Sequence, residues 1–158
     1  MRVLFPGSFD PITSGHMDII RRASVLFDRV TVGIFQNENK NYLFTPEERL
    51  AMVNAAIVSL PNVDAILDFG FVADYCRKEG IPLLVRGVRG DDDLPFERMA
   101  ADFNRERGVE TLFFFAEGDT ATLSSTEVRK RIAAGTLSDG LVPPEILPVL
   151  HKKSKNKM

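Results

Sequence analysis

His16 closes the stretch Gly7-Ser-Phe-Asp-Pro-Ile-Thr-Ser-Gly-His16, which follows directly on the short apolar run Val3-Leu4-Phe5. A glycine turn, hydroxyls and an imidazole where a first strand ends and a first helix begins suit an anion, because a helix start offers unpaired N–H groups and the positive end of its dipole. The same dipole disfavours an imidazolium, so the ring is expected to be neutral or donating. Arg86-Gly-Val-Arg89 sets two guanidiniums around a glycine directly after another apolar run, an arrangement that grips anions with forked hydrogen bonds. Lys40 lies in the polar loop Gln36-Asn-Glu-Asn-Lys-Asn41 and takes its weight from position alone. Ser124-Ser-Thr-Glu127 offers hydroxyls and a capping box at a further helix start. These groups together read as a polyphosphate site.

The elements that must position them alternate regularly. Apolar, β-branched or aromatic runs at Val3 to Phe5, Val30 to Phe35, Val63 to Leu67, Leu83 to Val85 and Thr111 to Phe115 predict strands. Between them, Met17 to Phe27, Pro46 to Leu60, Val72 to Glu79 and Leu94 to Arg107 carry apolar residues at helical spacing, and Val128 to Ala134 follows the second serine-rich start. Thr45-Pro-Glu-Glu48 is a capping box with proline at the first helical position. A last helix is expected from Pro143-Pro144, kinked or shortened at Pro148. The pattern predicts a single α/β domain over residues 1 to 158, a Rossmann-like, doubly wound, parallel five-stranded sheet with helices on both faces. Ligands of such sheets bind beyond the carboxyl ends of the strands. Ser8 and His16 follow the first run, Lys40 the second, Arg86 and Arg89 the fourth, and Ser124 to Thr126 the fifth.

Composition narrows the partners. With 20 basic against 22 acidic side chains the net charge is only -2, so a nucleic-acid or membrane surface is not expected and the partner is a small molecule. One cysteine, Cys76, cannot form an internal disulfide and lies in an amphipathic stretch as expected core. Neither a leader nor a membrane-spanning run is apparent, and a cytoplasmic setting is expected. Residues from about 152 to 158, with Lys152, Lys153, Lys155 and Lys157, read as a solvated, flexible basic tail. Asp91-Asp-Asp93 has oxygen ligands that suit Mg²⁺, and reads alternatively as a solvated loop whose last member caps the helix from Leu94. Only His16 and His151 are histidines, which argues against zinc, and neither a Walker loop nor a G-x-G-x-x-G fingerprint is present.

Thr13-Ser-Gly-His16 resembles the T/H-x-G-H motif of the nucleotidyltransferase superfamily, and Leu123-Ser-Ser-Thr-Glu-Val-Arg129 its second, serine-rich motif. With Gly7-Ser-Phe-Asp-Pro-Ile-Thr13, Phe44-Thr-Pro-Glu-Glu-Arg49 and Arg86-Gly-Val-Arg89, nearly the whole chain resembles the bacterial phosphopantetheine adenylyltransferase family. The resemblance implies transfer of the adenylyl group of ATP to 4'-phosphopantetheine, giving dephospho-coenzyme A and pyrophosphate, with Mg²⁺ bridging phosphates. It implies His16 at the α-phosphate in the transition state, Lys40 and Arg86 at the phosphate of the pantetheine substrate, Val72 against its arm, and Ser8 touching both substrates. Arg89 and Ser124, Ser125 and Thr126 would hold the outer phosphates of ATP. Phe9, Gly87, Val88, Glu97, Thr120, Ala121, Thr122 and Leu123 would enclose the rest. A homohexamer is implied as well.

Ser8 stands where many members have threonine, Val72 where the family uses a larger apolar residue, and Phe96 where a tyrosine is usual. Two other readings stay open at this point. A related enzyme adenylylating another phosphate, such as nicotinamide mononucleotide, would share both terminal motifs without needing Lys40 and Arg86 in these places. A non-enzymatic nucleotide-binding module on the same fold would bind ATP without releasing pyrophosphate.

Overall fold

The computed structural model describes residues 1–118 and 123–156. Five parallel strands, β1 (Arg2–Gly7), β2 (Arg29–Phe35), β3 (Val63–Asp68), β4 (Leu83–Val88) and β5 (Glu110–Phe115), form one sheet in the order β3-β2-β1-β4-β5. Connecting them are α1 (Ser14–Leu26), α2 (Pro46–Ala56), α3 (Val72–Glu79) and α4 (Leu94–Arg105); α5 (Ser125–Ala134) and α6 (Leu147–Lys155) follow β5. This is the expected doubly wound fold.

Neighbouring residues of one strand feed opposite faces. Val3 and Phe5 join a core with Met17, Ile20, Val53 and Val128, drawn from α1, α2 and α5. Leu4 turns the other way, with Leu84 and Ala73 and Cys76 of α3. A strand apolar at every position is what burial on both sides requires. Helix α4 lies over β4 and β5 yet buries none of its residues fully.

Several boundaries differ from the sequence expectation. Strand β4 runs on through Val88, because Arg86, Gly87 and Val88 continue the ladder with Phe113, Phe114 and Phe115. Arg86 therefore lies inside a strand, and only Arg89 follows it. Helix α2 ends at Ala56, not Leu60; Leu60 precedes Pro61, whose ring disfavours helical backbone before it. The final helix is split: a 3₁₀ turn at Pro144–Ile146 leads into α6, and Pro148 sits in the first turn of α6, where a missing N–H costs nothing. The stretch expected as a solvated tail stays helical to Lys155. Lys153 anchors it, its Nζ lying 3.6 Å from the Glu48 carboxylate and 5.3 Å from the centre of the Phe44 ring. Asp93 occupies the cap position of α4 without capping it, since its carboxylate instead accepts from the Arg89 backbone N–H and Nε.

Candidate active site

The sheet winds outward in two directions from β1 and β4, and a crevice opens where the directions part. Six residues of β1 are in register with β2, whereas β1 meets β4 at Leu4 and Leu84. Further along, the Pro6 carbonyl accepts instead from Nη1 of Arg86 at 2.5 Å. A cavity of about 350 Å³ occupies this place, walled by Ser8, His16, Lys40, Arg86, Arg89 and Ser124 among others. Side chains expected from four separate segments are thus gathered at one rim.

Local chemistry fixes His16. Thr13 caps α1, its hydroxyl accepting from the His16 backbone N–H at 3.3 Å. The Thr13 backbone N–H in turn donates to Nδ1 of His16 at 3.0 Å, so the imidazole fills the place that a glutamate takes in an ordinary capping box. An accepting Nδ1 leaves the proton of the neutral ring on Nε2. The ring packs on Phe9, centroids 4.8 Å apart. Burial, then the nearby charges of Arg86 and Arg89, hold its pKa down at about 3 from the ordinary 6.5. At neutral pH His16 is an uncharged, oriented donor.

The guanidiniums are braced as well. Arg86 faces Glu97 in a forked pair, Nε to Oε2 at 3.0 Å and Nη2 to Oε1 at 2.8 Å. Three of its five N–H groups are then engaged, counting the bond to Pro6, and two remain for a ligand. Glu97, expected to help enclose ATP, lines the cavity and at the same time holds Arg86. Arg89 is steadied by Asp93 and points Nη1 toward the Leu123 carbonyl at 3.5 Å. Lys40 is exposed at the rim.

At the start of α5 the hydroxyls have structural work. Ser124 accepts from the Glu127 N–H at 3.1 Å, a one-sided cap, because the Glu127 carboxylate turns to Arg131 and not back to the cap. Ser125 donates to the Pro11 carbonyl at 2.9 Å, and Thr126 accepts from Arg129 at 3.0 Å. What this helix offers an anion is chiefly its first backbone N–H groups and its dipole.

The remaining expected residues divide. Gly87 and Leu123 line the cavity. Phe9 also lines it, its ring buried between Phe5 and His16 and its backbone held at a positive φ of 49°. Gly7 is needed beneath it: a Cβ there would stand 3.0 Å from Cε2 of that ring. Val88 is fully buried and is absent from the lining. Thr120, Ala121 and Thr122 lie outside the described residues. Val72 lines a second cavity of about 290 Å³, between α3, α4 and the sheet, which also touches Ala100, Asn104 and Thr111.

Sequence reasoning missed the supports. Asp10, 2% exposed, accepts from the backbone N–H groups of Leu43 and Phe44 at 2.9 and 3.0 Å. Arg129 donates to the Asp10 carbonyl at 2.8 Å. Arg49, fully buried, donates to the Ser8 carbonyl at 2.8 Å. An acid before proline and an arginine inside a helix carry no mark of such pairing; the only available signal was their membership of the two motifs quoted above. No cluster of three or more metal-ligating side chains occurs among the described residues.

Fold and crevice together define a nucleotidyltransferase of the cytidylyltransferase-like class, whose family model matches residues 4–131. A phosphopantetheine adenylyltransferase of Clostridium tetani is 39% identical over 156 residues, covering 98% of each chain. Proteins of the same name from Leuconostoc citreum and Deinococcus radiodurans are 42% and 40% identical, covering 97% of this chain and 98% and 93% of their own. The chain belongs to the phosphopantetheine adenylyltransferase family. Among solved structures, a bifunctional NMN adenylyltransferase/ADP ribose pyrophosphatase from Francisella tularensis, complexed with AMP and a Mn ion, superposes with a TM-score of 0.72 at 16% identity. The alignment covers 98% of this chain and spans about half of that one, 51%. A lipopolysaccharide core biosynthesis protein from Thermoplasma volcanium gives 0.54 at 21% identity, over 74% of this chain and 96% of that one. At such identities these two structures speak for the fold alone.

Proposed function

We propose that the protein transfers the adenylyl group of ATP to 4'-phosphopantetheine, forming dephospho-coenzyme A and pyrophosphate in coenzyme A biosynthesis. One observation carries the assignment of the site: the two cavities adjoin, sharing Ser8, Lys40, Arg86 and Glu97 in their walls. Two phosphate-bearing substrates placed one in each cavity bring their phosphates together at that junction. ATP takes the larger cavity, its outer phosphates toward Arg89 and the start of α5. The pantetheine arm takes the smaller one, along Val72 and α4, with its phosphate between Lys40 and Arg86.

A phosphate monoester with a second pKa of about 6 is already an anion at neutral pH and needs no general base. Its oxygen attacks the α-phosphorus of ATP in line, a new P–O bond forms, and the bond to the bridging oxygen breaks to release pyrophosphate. Catalysis is then alignment plus stabilisation of charge on the α-phosphate and the leaving group. The Nε2–H of His16 is the donor for the α-phosphate. The carboxylates around the cavity are occupied, Asp10 by two N–H groups, Asp93 by Arg89 and Glu97 by Arg86. Such a lining fits Mg²⁺ that arrives on the nucleotide phosphates and keeps its waters.

A cytoplasmic setting is supported by the buried lone thiol of Cys76, and no described helix is long and apolar enough to cross a membrane. Self-association, as in the homohexamer the family resemblance implies, is supported by the unburied apolar side chains of α4 and β5, Phe96, Met99, Phe103, Leu112 and Phe115. Sedimentation of the pure protein decides that assembly. The activity is tested by following pyrophosphate release with Mg²⁺, ATP and either phosphopantetheine or nicotinamide mononucleotide. Turnover is expected with the first acceptor; turnover with the second alone overturns the reading.

A further inference from the structure

Arg49 is a fully buried charge that the chemistry above leaves unused. It stands in the first turn of α2, lines neither cavity, and spends its guanidinium on three separate places. Nη1 donates to the Ser8 carbonyl at 2.8 Å, Nη2 donates to Oε1 of Gln36, and Cζ lies over the Tyr42 ring, 4.1 Å from its centre. Gln36 and Tyr42 are the two roots of the loop that carries Lys40. That loop is closed on itself too, since the Tyr42 hydroxyl accepts from the Asn37 N–H at 2.8 Å and the Asn37 carbonyl accepts from the Lys40 N–H at 3.1 Å.

A buried guanidinium is a costly way to fill space, because desolvation is repaid only when its donors are well satisfied. Here Nε has no hydrogen-bond partner among the described residues. An apolar side chain of similar volume would fill the same place without stranding a donor, but it would join none of the three partners. We propose that Arg49 is a positioning residue for the phosphopantetheine phosphate site: by holding both roots of the 36–42 loop against the end of β1, it sets Lys40 relative to Ser8. This inference rests on the reading that Lys40 grips that phosphate.

The test compares Arg49→Lys, Lys40→Ala and the double variant by steady-state kinetics, with amide hydrogen exchange over residues 37–40. Arg49→Lys keeps the charge but cannot reach Ser8 and Gln36 with two arms while covering the Tyr42 ring, so KM for phosphopantetheine is expected to rise about tenfold while KM for ATP moves less than about threefold. Exchange at the loop amides should quicken. In the Lys40→Ala background the same change should add less than about twofold, because the two residues act through one contact. Full additivity, equal shifts in both KM values, or unaltered loop exchange overturns the inference. Should Arg49→Lys fail to fold, Gln36→Ala carries the test, freeing one root of the loop while Arg49 keeps Ser8; a phosphopantetheine KM that does not rise overturns the proposal. An unchanged phosphopantetheine KM in Lys40→Ala sinks the underlying reading, and with it the assignment of Arg49. Quickened exchange in Arg49→Lys with an unmoved KM sinks the positioning role alone.

Discussion

The backbone N–H of Thr13 donates to Nδ1 of His16 over 3.0 Å, and this one bond decides which ring nitrogen faces the substrates with a proton. His16→Ala should therefore lower kcat by about 10²- to 10³-fold while ATP binding stays within about tenfold, because a donor aimed at charge that develops during reaction acts on rate more than on ground-state affinity. Single-turnover kinetics with equilibrium binding separates the two quantities. Equal losses in both contradict the role.

The low pKa of His16, about 3, has consequences for acid stability. The folded chain binds fewer protons here than the unfolded chain, whose imidazole titrates near 6.5. The contribution to stability is full above about 6.5 and drains away as pH falls toward 3. Urea midpoints measured from pH 7 to pH 4 should fall more steeply for the wild type than for His16→Gln. Parallel curves would show that the ring is not held neutral by the fold.

Arg86→Ala should raise KM for phosphopantetheine by about tenfold or more and largely spare ATP, since the loss removes a charge-assisted contact from one subsite. Arg86→Lys should recover little, because an ammonium cannot reproduce the fork that Glu97 orients at 3.0 and 2.8 Å. A selective loss of ATP would mean that the two phosphate positions are exchanged.

Asp10 joins the first loop to the chain before α2 through two backbone N–H groups, with Arg129 3.8 Å away. Asp10→Ala leaves those buried donors without an acceptor and should cost about 2–4 kcal/mol. Asp10→Asn, keeping one acceptor, should cost less. Denaturant unfolding of both variants measures the difference.

Gly7→Ala pushes a methyl group to 3.0 Å from the Phe9 ring, which rests on His16. The expected result is a loss of about 1–3 kcal/mol from overpacking, with kcat falling further than stability alone explains because the imidazole is displaced. A folded variant with native kcat would show that the ring has room to move.

Much of this was legible because it is written in local chemistry. Thr45 and Glu48 form the two-way capping box that their spacing implies, and all five apolar runs are strands. Where the reading failed, a tertiary partner won. Gly87 reads as lying just past the fourth apolar run, yet pairing with Phe114 keeps it in β4. Asp93 looks like a cap, yet Arg89 offers a cation. The apolar spacing of Leu94 to Arg107 does make a helix, ending at Arg105, but it could not reveal that Phe96 and Met99 stay 81% and 72% exposed. The supports at Asp10 and Arg49 join residues 34 and 41 positions apart, and no local pattern announces such a bond.

The strand order carries a consequence for how the chain comes together. Strand β1, earliest of the five, ends up in the middle, and its second neighbour, β4, begins only at Leu83. A ribosome-bound chain that has emerged through β3 can already zip three strands, but one flank of the central ribbon stays bare until some twenty further residues appear. During that interval an open edge invites a stray strand. Truncations ending before β4 are thus the forms of this polypeptide most apt to aggregate.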